Sequence, residues 1–175
     1  MTRIILLGYM GAGKTTLGKA LSDSLGLPFY DLDWYIESRM HKTVKAIFDS
    51  QGEEGFRRIE RNMLHEVAEF ENVIVSCGGG TPCFFDNMSY MNAQGHTVYL
   101  KASPEVLHEH LKMGRTVRPL LLNKPPEEVR TFISAQLKER ERYYSMARYT
   151  LDVNLLDNRS KIKLTVNTLR EMLGI

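Results

Sequence analysis

The chain has 175 residues, 43% of them hydrophobic and 25% charged, the proportions of a globular protein with one sizeable core and one domain. Its 23 basic and 21 acidic residues leave a net charge of +2, too balanced to imply a nucleic-acid or membrane partner by bulk charge. No apolar run approaches a membrane span or a signal peptide, and Cys77 and Cys83 make neither a disulfide framework nor a redox or zinc motif, so a cytoplasmic protein with reduced thiols is expected.

Arg3-Ile4-Ile5-Leu6-Leu7 is an apolar segment of strand length. Gly8-Tyr9-Met10-Gly11-Ala12-Gly13-Lys14-Thr15 follows and fits G-x-x-x-x-G-K-[ST], the phosphate-binding loop. Leu17, Ala20, Leu21 and Leu25 then recur as the buried stripe of a helix. Strand, glycine loop and helix together aim backbone N–H groups and a helix N-terminus at one point, where an anion is favoured. Lys14 adds a positive charge for the terminal phosphates, and Thr15 offers a hydroxyl to Mg²⁺. Gly11 and Gly13 let the backbone wrap closely because no Cβ intrudes.

Gly26 and Pro28 end this unit. Phe29-Tyr30-Asp31-Leu32-Asp33 reads as a second strand, on which Asp31 and Asp33 would share a face. They are either a solvated strand end or carboxylates serving a Mg²⁺-nucleotide site. Residues 34–70 are helical in pattern, interrupted near Ser50-Gln51-Gly52, with Phe56, Ile59, Met63 and Val67 as the apolar stripe. Here Glu53/Arg57 and Glu54/Arg58 are spaced i,i+4, which an ordinary charged helix face explains.

Val73-Ile74-Val75-Ser76 is a β-branched run of the buried-strand type. It runs into Gly78-Gly79-Gly80, where a ligand can approach the backbone. Thr97–Leu100 is the fourth strand, and Ser103-Pro104 starts a helix that reaches about Lys112. The stretch from about 113 to 126 carries three prolines and reads as a lid. A helix from Glu127 to about Tyr144, a fifth strand at Arg148–Val153 and a final helix marked by Ile162, Val166, Leu169 and Leu173 complete the chain. Strands alternating with helices predict an α/β fold on a parallel sheet, with ligands at the carboxyl ends of the strands.

Within the 127–144 helix, Arg140 falls on the inward stripe with Ile133, Leu137 and Tyr144. An inward arginine either meets an anionic ligand or snorkels to the helix edge. The histidines show no metal spacing, and surface or partly buried positions are expected for all five.

Taken in order, these segments resemble shikimate kinase, a relative of the nucleoside monophosphate kinases. Gly8–Thr16 resembles its Walker A loop, Asp31-Leu32-Asp33 its D-x-D, and Phe56-Arg57-Arg58-Ile59-Glu60 its F-R-x-x-E. Gly78-Gly79-Gly80 resembles its triple glycine, Arg118-Pro119-Leu120-Leu121 its lid motif, and Arg140 with Tyr144 its late arginine and tyrosine. The resemblance implies a three-layer P-loop kinase fold with five parallel strands in the order 2-3-1-4-5. A substrate-binding helical segment at about 34–60 and a lid at about 113–126 belong to it. It implies ATP-dependent phosphorylation of the 3-hydroxyl of shikimate, with Mg²⁺, by a cytoplasmic monomer of the shikimate pathway.

The implied roles follow the motifs. Gly11, Ala12, Gly13, Lys14, Thr15, Thr16 and Arg118 would bind ATP. Thr15 and Asp31 would hold Mg²⁺. Asp33, Arg57, Gly79, Gly80 and Arg140 would bind shikimate, with Glu60 orienting Arg57. Asp33, Lys14 and Arg118 would act in the transfer itself. The pattern departs from the family where many members carry an adenine-stacking arginine: this chain reads His110-Leu111-Lys112, with Lys112 as a substitute and residues 152–158 covering the other side of the base. The competing readings are a kinase of another small metabolite, such as gluconate, or of a nucleotide, and, from a different class, a GTP-dependent switch or a catalytically idle binding module. Asp49-Ser50-Gln51-Gly52 fits only the letters of the switch motif, and Asn123-Lys124-Pro125-Pro126 lacks its aspartate.

Overall fold

The computed structural model describes residues 1–114 and 124–175. The expected lid, with Arg118, therefore lies mostly outside the described residues, as does Asn123 of the weighed GTPase motif. The elements run β1 (Arg3–Leu7), α1 (Lys14–Leu25), β2 (Phe29–Asp31), α2 (Leu32–Met40), α3 (Val44–Ala68) and β3 (Val73–Ser76). A short 3-10 turn (Thr81–Cys83) and α4 (Asn87–Gln94) follow. Next come β4 (His96–Lys101), α5 (Pro104–Met113), α6 (Pro126–Tyr144), β5 (Tyr149–Asp152) and α7 (Arg159–Leu173).

The strands form one sheet in the order β2-β3-β1-β4-β5, every pairing parallel. This is the expected order. β1 and β3 sit inside the sheet, and Ile4, Leu6, Leu7, Val73, Ile74 and Val75 are fully buried. Burial on both faces explains why these strands read as continuous apolar runs rather than as alternating ones. α1 packs on β1, β2, β3 and α7, α2 packs on α3, and α5 on α6.

Register brings the strand ends together. Asp31, Ser76 and Leu6 stand side by side across β2, β3 and β1. The phosphate loop, the aspartates and the triple glycine therefore leave the sheet at one edge.

Three elements differ from the sequence reading. β2 stops at Asp31, because the Asp31 side chain caps α2 by accepting from the N–H groups of Asp33 and Trp34. Asp33 thus lies in the first turn of a helix, and the two aspartates do not share a strand face. The helical stretch is interrupted at Gly52 as expected, where a φ of 69° kinks α3, but it is also broken at residues 41–43, between α2 and α3. The buried side of α3 also includes Glu60 and Leu64, between Phe56 and Val67. The 3-10 turn and α4 were not expected: α4 is only eight residues long, and beside Met88 and Met91 its buried side carries a polar residue, Asn87, held by a hydrogen bond to the Thr81 carbonyl at 2.8 Å.

Candidate active site

A cavity of about 440 Å³ opens at the carboxyl edge of the sheet. Gly11, Gly13, Lys14, Thr15, Thr16, Asp31, Asp33, Gly78 and Gly79 line it. Ala12 is fully buried and does not line it.

The phosphate loop is shaped by its surroundings as well as by its future ligand. Gly11 and Gly13 have φ values of 81° and 96°, in the left-handed region. A Cβ at Gly13 would lie 2.7 Å from Leu156 Cδ1, and one at Gly11 3.0 Å from Leu111 Cγ. The positive φ demands glycine at both positions, and neighbouring side chains leave little room beside them. Lys14 Nζ donates to the Gly8 and Tyr9 carbonyls at 2.7 and 2.8 Å, which keeps its charge over the loop. Thr15 Oγ1 donates to Asp31 Oδ2 at 3.3 Å, while Asp31 Oδ1 takes the cap of α2.

The three glycines after β3 act as a ruler for the other half of the site. A Cβ added at Gly78 would lie 3.5 Å from Asp33 Oδ1, one at Gly79 3.2 Å from Arg140 Nη1, and one at Gly80 2.6 Å from Arg57 Nη2. Successive Cα atoms are about 3.8 Å apart, so the three side chains converge on one short stretch of backbone. The Cys83 thiol nearby feels both guanidinium groups, which pull its pKa down while burial, the larger effect, pushes it up. Gly80, Arg57 and Arg140 adjoin the cavity through this glycine run but do not line it.

Each arginine is held in place. Arg57 Nη1 donates to Glu60 Oε1 at 2.9 Å, its guanidinium lies 4.1 Å from the centre of the Phe84 ring, and Nη2 is 3.5 Å from Glu53. Glu60 is 1% exposed, and its second oxygen accepts from Thr81 Oγ1 at 2.9 Å. Burial pushes the Glu60 carboxyl above the usual range, against the pull of Arg57 and Thr81. Arg57 Nε is buried and has no hydrogen-bond partner among the described residues.

Arg140 lies 5.5 Å from the centre of the Tyr9 ring and bears on the Tyr144 hydroxyl. Tyr144 in turn donates to the Gly79 carbonyl at 2.6 Å, and burial raises its pKa. The helix stripe on which Arg140 was placed is real: Val129, Ile133 and Tyr144 are buried. Arg140 meets the glycine run rather than snorkelling.

A family model described as shikimate kinase matches residues 10–170. The shikimate kinase of Phocaeicola vulgatus is 54% identical over 99% of both chains, and that of Bacteroides thetaiotaomicron 53% identical over the full length of both. The chain belongs to the shikimate kinase family. The crystal structure of the Bacteroides thetaiotaomicron enzyme superposes with a TM-score of 0.95 at 52% identity over 99% of each chain. That of the Acinetobacter baumannii family member, in complex with shikimate, gives 0.83 at 32% identity over 99% of this chain and 94% of its own.

Two features of the site were not legible beforehand. The Arg57–Phe84 contact joins α3 to an irregular segment whose path no periodicity announces. Lys112, expected as the substitute on the adenine side, instead turns outward to Glu109 at 2.7 Å and does not line the cavity. His110, Met113, Leu156 and Asp157 do. His110 is partly buried, as expected of a histidine here, but it also bonds to Gly11 and Leu156.

Proposed function

We propose that the chain transfers the γ-phosphoryl group of ATP to the 3-hydroxyl of shikimate, giving shikimate 3-phosphate and ADP. The observation that carries this reading is the meeting of Asp33, Arg140 and Arg57 on three consecutive glycines beside a phosphate loop. A cyclic acid with a planar carboxylate at one end and hydroxyls at the other matches two guanidinium groups and one carboxylate.

In this mechanism Arg57 and Arg140, with the Gly79 N–H, take the substrate carboxylate. Gly80 leaves room for the Arg57 guanidinium. Glu60 and Phe84 hold Arg57 so that little order is lost on binding. Asp33 accepts the hydroxyl hydrogen bond, aims that oxygen at the γ-phosphorus and takes its proton. Lys14 and the backbone N–H groups of Gly11, Ala12, Gly13, Thr15 and Thr16 hold the phosphates, and Arg118 approaches them from the lid. Phosphoryl transfer asks mainly for such alignment and charge neutralisation.

The site also fits Mg²⁺. The Thr15 hydroxyl and Asp31 Oδ2 offer hard oxygen donors beside the phosphate loop. Among the described residues no cluster of three or more His, Cys, Asp or Glu is placed to hold a metal. One carboxylate and a hydroxyl, completed by water and phosphate oxygens, is an ordinary Mg²⁺ environment. Thr15 and Asp31 would hold Mg²⁺ when it is bound with ATP, and the ion would supply neutralisation of phosphate charge. We place the reaction in the cytoplasm and on a monomer. None of the described helices is long and apolar enough to cross a membrane.

The test is ADP release with shikimate present and absent, with the product identified by mass. Shikimate-dependent ADP release and a monophosphorylated product are expected. ADP release indifferent to shikimate, or equal turnover with gluconate, would overturn the assignment.

A further inference from the structure

We propose that His110 is a positioning residue for the nucleotide half of the site: a neutral imidazole, protonated on Nδ1, that ties the phosphate loop to the loop after β5. Its Nδ1 lies 2.6 Å from the Gly11 carbonyl oxygen, and its Nε2 accepts the Leu156 backbone N–H at 2.9 Å. These two partners fix the tautomer. A backbone N–H only donates, so Nε2 carries no proton; a carbonyl only accepts, so Nδ1 carries one. Both ring nitrogens are engaged by backbone, and the ring has only carbon to offer the cavity it lines.

Three parts of the fold meet at this ring. A Cβ at Gly11 would lie 3.1 Å from the Leu107 carbonyl and 3.0 Å from Leu111 Cγ, so α5 closes on the loop there. A Cβ at Gly13 would lie 2.7 Å from Leu156 Cδ1, so the loop after β5 closes on its other end. His110 bonds to both contacts. Removing the imidazole leaves a carbonyl of the phosphate loop and the Leu156 N–H without their partner and releases one cavity wall from the other. Asp33, Arg57 and Arg140 belong to the other cluster, around Gly78–Gly80. The imidazole therefore acts on nucleotide affinity and not on recognition of the acid.

This proposal rests on the cavity being the ATP site of a shikimate kinase, and its test separates the two. Nitrogen-15 NMR of the intact chain near neutral pH reads the His110 ring directly. The expected pattern is a protonated Nδ1 and an unprotonated Nε2; the opposite tautomer or an imidazolium overturns the proposal. In His110→Ala, the Kd for ADP by titration calorimetry should rise roughly tenfold, while the KM for shikimate stays within about twofold of the parent. Unchanged ADP affinity, or an equal loss for both ligands, overturns it. If that variant does not fold, the NMR result on the parent chain decides. A parent chain with no shikimate-dependent turnover would instead overturn the function, leaving the tautomer and ADP measurements intact.

Discussion

Replacing Gly80 by alanine isolates acid recognition from folding. Gly80 has φ −90° and ψ −16°, a right-handed conformation that alanine adopts without strain. In open space such a change stabilises a fold by about 0.4–1 kcal/mol through the unfolded chain. Here the space is occupied: the new Cβ would lie 2.6 Å from Arg57 Nη2, 3.0 Å from Nη1 and 3.1 Å from Cζ. Reaching an ordinary 3.4 Å contact requires the guanidinium to move by about 0.8 Å. Arg57 cannot yield freely, because Glu60 holds it at 2.9 Å, Phe84 flanks it at 4.1 Å and its side chain is only 13% exposed. A hydrogen bond to a charged group contributes about 1.5–3 kcal/mol, so losing the one to the substrate carboxylate lowers kcat/KM for shikimate by about 10- to 150-fold. The KM for ATP should hold, since the phosphate loop is not disturbed. Steady-state kinetics with each substrate varied in turn, alongside a thermal melt, provides the assay. A folded Gly80→Ala variant with parental kcat/KM for shikimate would refute the reasoning.

Further predictions address the other groups. Asp33→Asn should lower kcat by roughly 10²–10⁴-fold with ATP binding largely intact, and normal turnover would remove Asp33 from the role of base. Arg140→Lys loses the planar fork, so the KM for shikimate should rise roughly tenfold or more; an unchanged value would make Arg140 only a structural partner of Tyr144 and Tyr9. His65 stacks on Tyr90 with ring centres 3.6 Å apart, and burial, then Arg61, lower its pKa against the opposing pull of Asp86 and Glu69. The unfolded chain therefore takes up this proton first, and the linked stability is lost as pH falls below the ordinary value of 6.5. Urea midpoints across that range should decline less in His65→Gln than in the parent, and identical declines would exclude His65 as a source.

Strands and phosphate loop were readable because local pattern determines them. β1 and β3 are buried on both faces and so appear as unbroken apolar runs, and the loop glycines stand at fixed offsets. Arg140 was placed by helical spacing alone. What stayed hidden depends on contacts distant in sequence or on competition between structures. Asp33 reads as strand until Asp31 is seen capping α2, a choice between two local structures that propensity does not settle. The pairing of Arg57 with Glu60 follows i,i+3 spacing, but its contact with Phe84 depends on the path of an irregular segment. His110 was the least legible, since its partners Gly11 and Leu156 lie far away in the chain on either side and nothing local marks it.

A structure of the chain bound to shikimate and ADP tests the central claim most directly. The account predicts the shikimate carboxylate within about 2.7–3.2 Å of both the Arg57 and Arg140 guanidinium groups, and the 3-hydroxyl at the same range from the Asp33 carboxylate. Shikimate bound with its carboxylate toward Lys14, or with Asp33 facing away from every hydroxyl, would contradict it.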